Sequence, residues 1–314
     1  MADQSVEAVD PQRLQRNPEN PRLIFRSDEL DALQESIRMQ GILVPLTVYR
    51  DRRKLVILDG ERRWRCAVKL GLHRIPIIVQ PKPDRLRNIM MMFAIHNARK
   101  DWDPLPTAYK LKELEDEFAQ RQGRAPREAE LAEIASLSRG EVRRLKKLLG
   151  LPSEYREELM SELEKPRSEQ VLTVDHVLET TKGTAALRSR GLISAEEEDQ
   201  LRRAVLEKFR GGVINNTVAP RQLARIARAV EREEVPASTA RTVSRRLIRD
   251  PTYSIDQAFR DSAAQADFEH GVEQLVERLS ERLSHFLGDG FEVGRPLRDQ
   301  LLELRAQIDS IVTS

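Results

Sequence analysis

The stretch Gly60-Glu61-Arg62-Arg63-Trp64-Arg65-Cys66 constrains this chain more than any other, because it joins a strand to a helix and loads the junction with guanidinium groups. Lys54-Leu55-Val56-Ile57-Leu58 reads as a strand turned at Asp59-Gly60. Trp64, Ala67, Val68 and Leu70 then carry the spacing of a helix face that ends at Gly71. The first backbone N–H groups of such a helix have no acceptor within it, and its dipole adds positive potential. Arg62 and Arg63 add forked donors suited to phosphate. Gly60, Glu61, Arg62 and Arg63 therefore form a candidate anion site. So short a motif also describes a solvated helix face, and its weight comes from what surrounds it.

The chain has 314 residues, enough for two or three domains with packed cores. Charged residues make up 33% and aromatics 4%, a helix-rich profile with a large polar surface. The formal charge is only +2, so binding to nucleic acid has to come from local clustering of Lys and Arg. No apolar run approaches membrane-spanning length, and Met1-Ala2-Asp3-Gln4-Ser5 lacks the basic and apolar regions of a secretory signal. The expectation is a cytoplasmic protein without a membrane partner. The single Cys66 excludes an internal disulfide, and it sits among helix-face residues rather than beside a histidine that would activate it. His73, His96, His176, His270 and His285 show no metal-ligand spacing.

The patterns imply an α+β N-terminal domain over 10–103, a helix-turn-helix domain over 104–165, a helical region over 166–262 and a helical hairpin over 263–314. In the first region Ser27 is placed to cap a helix carrying Leu30, Leu33 and Ile37, with Gly41 at its C-terminal end. Leu46-Thr47-Val48-Tyr49, the turn at Asp51-Arg52-Arg53 and the Lys54 strand form a hairpin; Ile75 to Val79 is another strand and about 84–99 another helix. In the second, Pro126 suits a first helical position, and Leu131, Ile134 and Ala135 give the next short helix an apolar stripe. Ser136-Leu137-Ser138 is a tight turn, and Ser138 with Glu141 forms a capping box. The helix so opened turns Val142, Leu145 and Leu149 inward and its lysines and arginines mostly outward. Short helix, turn and basic helix are the order of a unit that enters a major groove, with Ser138, Arg139 and Arg143 aimed at base edges and Arg144 and Lys147 at phosphates. In the last region two apolar stripes, Phe268 to Phe286 and Leu297 to Ile311, flank a glycine turn. They either pair with a second copy of the chain or pack against its own core.

Three blocks in order, Asn17-Pro18-Glu19-Asn20-Pro21-Arg22 with Gly41-Ile42-Leu43-Val44-Pro45, then Gly60 to Arg65, then Asn97 through Asp103-Pro104-Leu105, resemble the ParB family of bacterial DNA-partition proteins. The likeness spans about 10–160 and implies a ParB/sulfiredoxin-like N-terminal fold. It further implies a homodimeric clamp that binds CTP with Mg2+ and loads on double-stranded DNA at a palindromic site, with slow CTP hydrolysis as a switch. By the resemblance Gly60, Glu61, Arg62 and Arg63 hold the triphosphate, Arg22 supports it, the loop from Gly41 to Pro45 lines the base pocket, and Asn97 lies near the metal. His96-Asn97 stands where the family usually has Glu-Asn, and imidazole suits magnesium poorly. Asn20 replaces a frequent Gln, and an acidic lead replaces a basic tail, which argues against a conventional ParA-type ATPase partner. Two other readings stay open: a helix-turn-helix regulator with a vestigial nucleotide pocket, and a nuclease-like enzyme on the same scaffold, for which no clustered carboxylates stand out.

Overall fold

In a computed structural model that describes residues 5–97, 103–289 and 291–313, with the side chains of 96 and 97 left out, the N-terminal strands make one mixed sheet. The strands β1 (Val6–Val9), β2 (Leu14–Gln15), β3 (Leu46–Asp51), β4 (Lys54–Asp59) and β5 (Ile75–Gln80) lie in the order β1-β5-β3-β4-β2. β3 and β4 are the expected hairpin, pairing Tyr49 with Val56 and Asp51 with Lys54, and Arg52 takes a left-handed φ of 56° in its turn. β5 and β3 run parallel, as do β2 and β4, whereas β1 joins β5 antiparallel. β4 is apolar from Leu55 to Leu58 because both faces are covered there. Leu55 and Ile57 pack with Leu46, Val48, Ala67 and Ile77, and Val56 and Leu58 pack on the other face with Tyr49 and Met92.

Three helices dress this sheet: α1 (Ser27–Gln40), α2 (Glu61–Lys69) and α3 (Arg85–Asn97). Ser27 does not cap α1. The helix takes Ser27 as its first residue, Arg26 occupies the capping position without a side-chain bond, and Asp28 accepts instead from the Glu29 amide at 2.9 Å. α3 serves two cores. Met92 faces the sheet, while Ile89 and Phe93 are fully buried in the helical part of the chain.

That part continues with α4 (Pro104–Gln122), α5 (Glu128–Ile134), α6 (Arg139–Leu149), α7 (Ser153–Glu164), α8 (Val174–Ser189), α9 (Ala195–Arg210), α10 (Arg221–Glu231), α11 (Ala237–Arg249) and α12 (Ile255–Arg260). Residues 104–165 and 166–262 share one apolar cluster that runs from Ile89 to Ala263. Two local readings need correction. Pro126 lies before α5, whose capping position is Arg127 with the Glu130 carboxylate accepting from the Arg127 amide at 2.7 Å. On α6 the fully buried third position is Leu148, one three-residue step beyond Leu145, and Leu149 packs half-buried against the same core.

The chain ends in α13 (Ala264–Gly288) and α14 (Arg295–Val312), which carry no buried residue. Phe268 is 72% exposed and Leu287 80%. Packing of these stripes against the chain's own core is therefore not what the fold shows. Among the described residues no helix is long and apolar enough to cross a membrane.

The position of Leu148 can be checked by urea unfolding. Leu148→Ala is expected to cost about 2–5 kcal/mol, the range for emptying a well-packed core site, and Leu149→Ala distinctly less.

Candidate functional site

Gly60 forms the hinge of the site. It caps α2 in the left-handed region, φ 100° and ψ 20°. A Cβ there would sit 2.8 Å from Leu46 Cγ and 3.0 Å from Arg63 Nη2, so only glycine fits both the backbone and the space. The intrahelical ladder of α2 begins with the Trp64 amide donating to the Gly60 carbonyl at 3.0 Å, which leaves the preceding N–H groups at the mouth of the turn. Asn20, Arg22, Phe25, Leu33, Asp59, Gly60, Glu61, Arg62 and Arg63 line a cleft of about 250 Å³ at this point, together with Ile57 and Leu58 at its floor.

Carboxylates hold the arginines of the cleft in place. Asp59 Oδ2 accepts from Arg63 at 3.0 Å, and Arg63 also donates to the carbonyls of Val44 and, at 3.1 Å, Pro45. Glu61 is buried and accepts from Arg65 at 2.6 Å and from Asn20 Nδ2 at 2.8 Å. Arg62 donates to the Glu29 carbonyl at 3.0 Å. Arg22 reaches the Glu29 carboxylate at 2.8 Å. Arg65 lies over the Phe25 ring at 3.9 Å, a cation–π contact that fixes the rim.

The two Asn-Pro dipeptides serve as anchors. Asn17 Oδ1 accepts from the Glu19 amide and Asn20 Oδ1 from the Arg22 amide, so each asparagine closes its own turn. Asn17 and Asn88 exchange amide hydrogen bonds at 2.9 and 3.1 Å, which fastens the segment to α3. Its other side is tied to α4, where Lys110 Nζ donates to the Pro18 carbonyl at 3.0 Å.

Of the residues expected at the anion site, Arg22, Gly60, Glu61, Arg62 and Arg63 come together in the cleft. Gly41 does not line it; its loop touches the site through the Val44 and Pro45 carbonyls, with Leu43 74% exposed. Asn97 ends α3, and its side chain, like that of His96, lies outside the described residues. Sequence reasoning missed Phe25, Asp59 and above all Glu29. The carboxylate of Glu29 collects Arg22, Arg26 and Arg167, the last from 138 positions away, and no local pattern signals such a contact.

The second candidate surface is α6. Ser138 Oγ accepts from the Glu141 amide at 3.2 Å and Glu141 Oε2 accepts from the Ser138 amide at 2.8 Å, which completes the capping box. α6 packs on α4 and α5, leaving Arg139, Arg143, Arg144 and Lys147 exposed. Arg143 pairs with Glu128 and Arg144 with Asp175, each at 2.8 Å.

Residues 1–96 match the ParB N-terminal domain family. The chromosome-partitioning protein ParB of Caulobacter vibrioides is 35% identical over 152 residues, 47% of each chain. Residues 1–96 thus belong to the ParB N-terminal domain family. The chain spans about half the length of the curated relatives it matches. Among solved structures, C-terminally truncated Caulobacter crescentus ParB complexed to the centromeric parS site is 26% identical, covering 71% of this chain and 98% of that one, with a TM-score of 0.44. The same protein complexed with CTP-γS covers 70% and 98% at 26% identity, with a TM-score of 0.29.

Within this ParB domain the titrating groups divide by burial and charge. Burial pushes the Cys66 thiol up, which disfavours the thiolate and fits a packing role. Burial also acts to raise the Glu29 carboxyl, but the bond from Arg167 and the charges of Arg22, Arg26 and Arg62 outweigh it and hold the group below its ordinary value of 4.5. A depressed carboxylate stabilises the fold above its unfolded pKa, and that contribution is lost as pH falls through the lower folded value. Chemical unfolding of the wild type between pH 6 and pH 3, roughly the window either side of a carboxylate's usual pKa, is expected to show this loss below about 4.5. Glu29→Gln is expected to be less stable at neutral pH and to flatten that part of the curve.

Proposed function

We propose that this ParB-family protein is a site-specific DNA-binding partition protein in which the Gly60 cleft holds the triphosphate of CTP and α6 reads a palindromic duplex. The observation that carries the reading is the convergence of Arg22, Arg62 and Arg63 on the left-handed junction that opens α2. The residues fit a polyphosphate. Gly60 removes the side chain that would block close approach, the helix start offers N–H groups, and three guanidinium forks match phosphate oxygens. The choice of cytidine follows the family resemblance of the three sequence blocks. Magnesium would fall to Asn97 by the same resemblance.

The chain's own bonds suggest how occupancy is sensed. Arg63 ties the loop at Val44 and Pro45 to the cradle, so a phosphate that draws this guanidinium inward loosens its hold on two carbonyls and on the exposed Leu43. The Glu29 carboxylate links the same cradle to Arg167 beyond α7. The uncovered stripes of α13 and α14 supply a surface for a second copy, as a two-fold DNA site requires. A plain helix-turn-helix regulator is the competing account, favoured by the carboxylates that already neutralise Arg22, Arg63 and Arg65.

Titration calorimetry separates the two. CTP is expected to bind saturably and more tightly than ATP or GTP, with Arg62→Ala losing about 1.5–3 kcal/mol, the worth of a hydrogen bond to a charged group. Absence of heat with CTP alongside intact operator binding would leave only the regulator. For the DNA surface, Arg143→Ala is expected to lower preference for the cognate site by ~1–3 kcal/mol. Lys147→Ala is expected to weaken all duplexes alike and reduce the salt slope by about one unit. Fluorescence anisotropy on cognate and random duplexes across a salt series checks both.

A further inference from the structure

The left-handed stop between α5 and α6 closes α2, α8, α9 and α10 as well, and among the described residues only Ser136 and Glu233 make it without a glycine. Among described non-glycine residues, positive φ is confined to Arg52 in the β3–β4 hairpin, Ser136 at 52° and Glu233 at 62°. Ser136 ends α5 with its amide donating to the Glu133 carbonyl at 3.0 Å and the Leu137 amide to Ala132 at 2.9 Å. Glu233 ends α10 in the same way, with its amide donating to Val230 at 3.0 Å and the Glu234 amide to Ala229 at 3.0 Å. Both are left-handed helix stops with the same pair of closing bonds. Leu137 follows Ser136 directly, whereas Glu234 and then the buried Val235 follow Glu233, before a new helix opens in each case. The connection to α11 is one residue longer than the connection to α6.

Packing repeats as well. α6 buries Val142, Leu145 and Leu148 against α4 and α5; α11 buries Ala240, Val243 and Leu247 against α9 and α10. The opposite face of α11 presents Ser238, Arg241, Thr242, Arg245, Arg246 and Arg249, a continuous stripe at three- and four-residue steps. No acidic residue lies within the helix. Its neighbours neutralise part of this charge, as they do on α6. Arg245 meets Glu197 at 3.1 Å, Arg246 lies 3.6 Å from both Asp250 and Asp261, and Arg241 donates to the Gly191 carbonyl at 3.4 Å. The Arg246 guanidinium stacks 3.9 Å over the Tyr253 ring, whose hydroxyl donates to Asp261 at 2.7 Å. That stack holds Arg246 beside a surface hollow of about 320 Å³ edged by the hydroxyls of Ser238, Thr239 and Thr242. Guanidinium forks, hydroxyls and a helix free of carboxylates are the groups that contact sugar-phosphate oxygens.

We propose that α10, the turn around Glu233 and α11 form a second helix-turn-helix, and that the outer face of α11 binds the backbone of duplex DNA. The contact is electrostatic and does not read sequence. It gives a chain whose total charge is only +2 a second local concentration of cations outside α6.

The test uses the full chain, nucleotide-free, with fluorescence anisotropy on cognate and random duplexes between roughly 50 and 200 mM salt, where phosphate contacts change affinity most. The triple variant Arg241→Ala/Arg245→Ala/Arg249→Ala is expected to bind both duplexes at least tenfold more weakly at low salt and to lower the salt slope by about 2–3 units, about 0.9 for each phosphate lost. Arg249→Ala alone, which breaks no ion pair recorded among the described residues, is expected to lower the slope by about one. The Lys triple is expected to restore most of it, since phosphate accepts either cation. Unchanged affinity and slope in the Arg249 variant and in a triple variant whose circular dichroism is native would overturn the proposal. Retained DNA binding with lost binding to polyglutamate would overturn it too, assigning the face to an acidic polypeptide. Since no arm contains nucleotide, failure of CTP binding leaves the result intact.

Discussion

A left-handed residue between β4 and α2 governs the N-terminal domain. With any side chain at position 60 the start of α2 would collide with Leu46 on the neighbouring strand and with Arg63 within its own first turn. Glycine lets the strand end and the helix begin within one residue. That places Asp59, Glu61, Arg62 and Arg63 around a single cleft, the last strand residue and the first helical ones facing the same opening. The acids are not opponents of an anion site here. Each pairs with an arginine, and a flexible cation held by a fixed carboxylate loses less freedom when a phosphate arrives.

The segment beside the cleft also ties the sheet domain to the helices that follow. Arg26 is almost fully buried and pairs with Asp103 at 2.7 Å, immediately before α4. Burial works against its charge, yet the Asp103 bond and the nearby Glu29 raise its pKa. Lys110 and Arg85 add contacts to Glu19, on the segment that also carries Arg22. α3 contributes Met92 to the sheet and Phe93 to the helical core. Ion pairs thus join the segment that carries Arg22 to α4, the helix on which α6 packs.

How much of this could be read from the chain depended on whether the decisive contact was local. The strand, glycine and helix around residue 60 were legible because a short continuous apolar run gives way, across a glycine, to a helical period of about 3.6. The capping box at Ser138 and Glu141 was legible for the same reason: both partners lie within one turn. Strand β1 was not. Val6–Val9 has only one buried residue and owes its existence to pairing with β5, some seventy residues on. The choice of Leu148 over Leu149 is set by where α4 lies and not by α6 itself. Glu29 reads as an ordinary first-turn acid of α1; only the fold brings it Arg22, Arg26 and Arg167. Asn17 and Asn20 read as a motif by resemblance, and their physical role is to close two turns and to bond Asn88 and Glu61.

The contacts with polyanions proposed above rest on charge placement in a nearly neutral chain. Lysines and arginines number 53 against 51 acids, so attraction at long range is weak and selectivity has to arise at short range. The structure meets that requirement by withholding acids from particular surfaces. α11 has none, and the one acid of α6, Glu141, is committed to the Ser138 amide at the helix start. Acids instead stand one element away, at Glu115, Glu128, Asp175 and Glu197, close enough to orient the cations and exposed enough to yield them. Exposed pairs of this kind are each worth little, about 0–1 kcal/mol, so exchanging them for phosphate contacts costs little. A helix of cations held by weak neighbours is thus better adapted to a polyanion than one held by buried partners, where breaking the pair leaves an uncompensated charge.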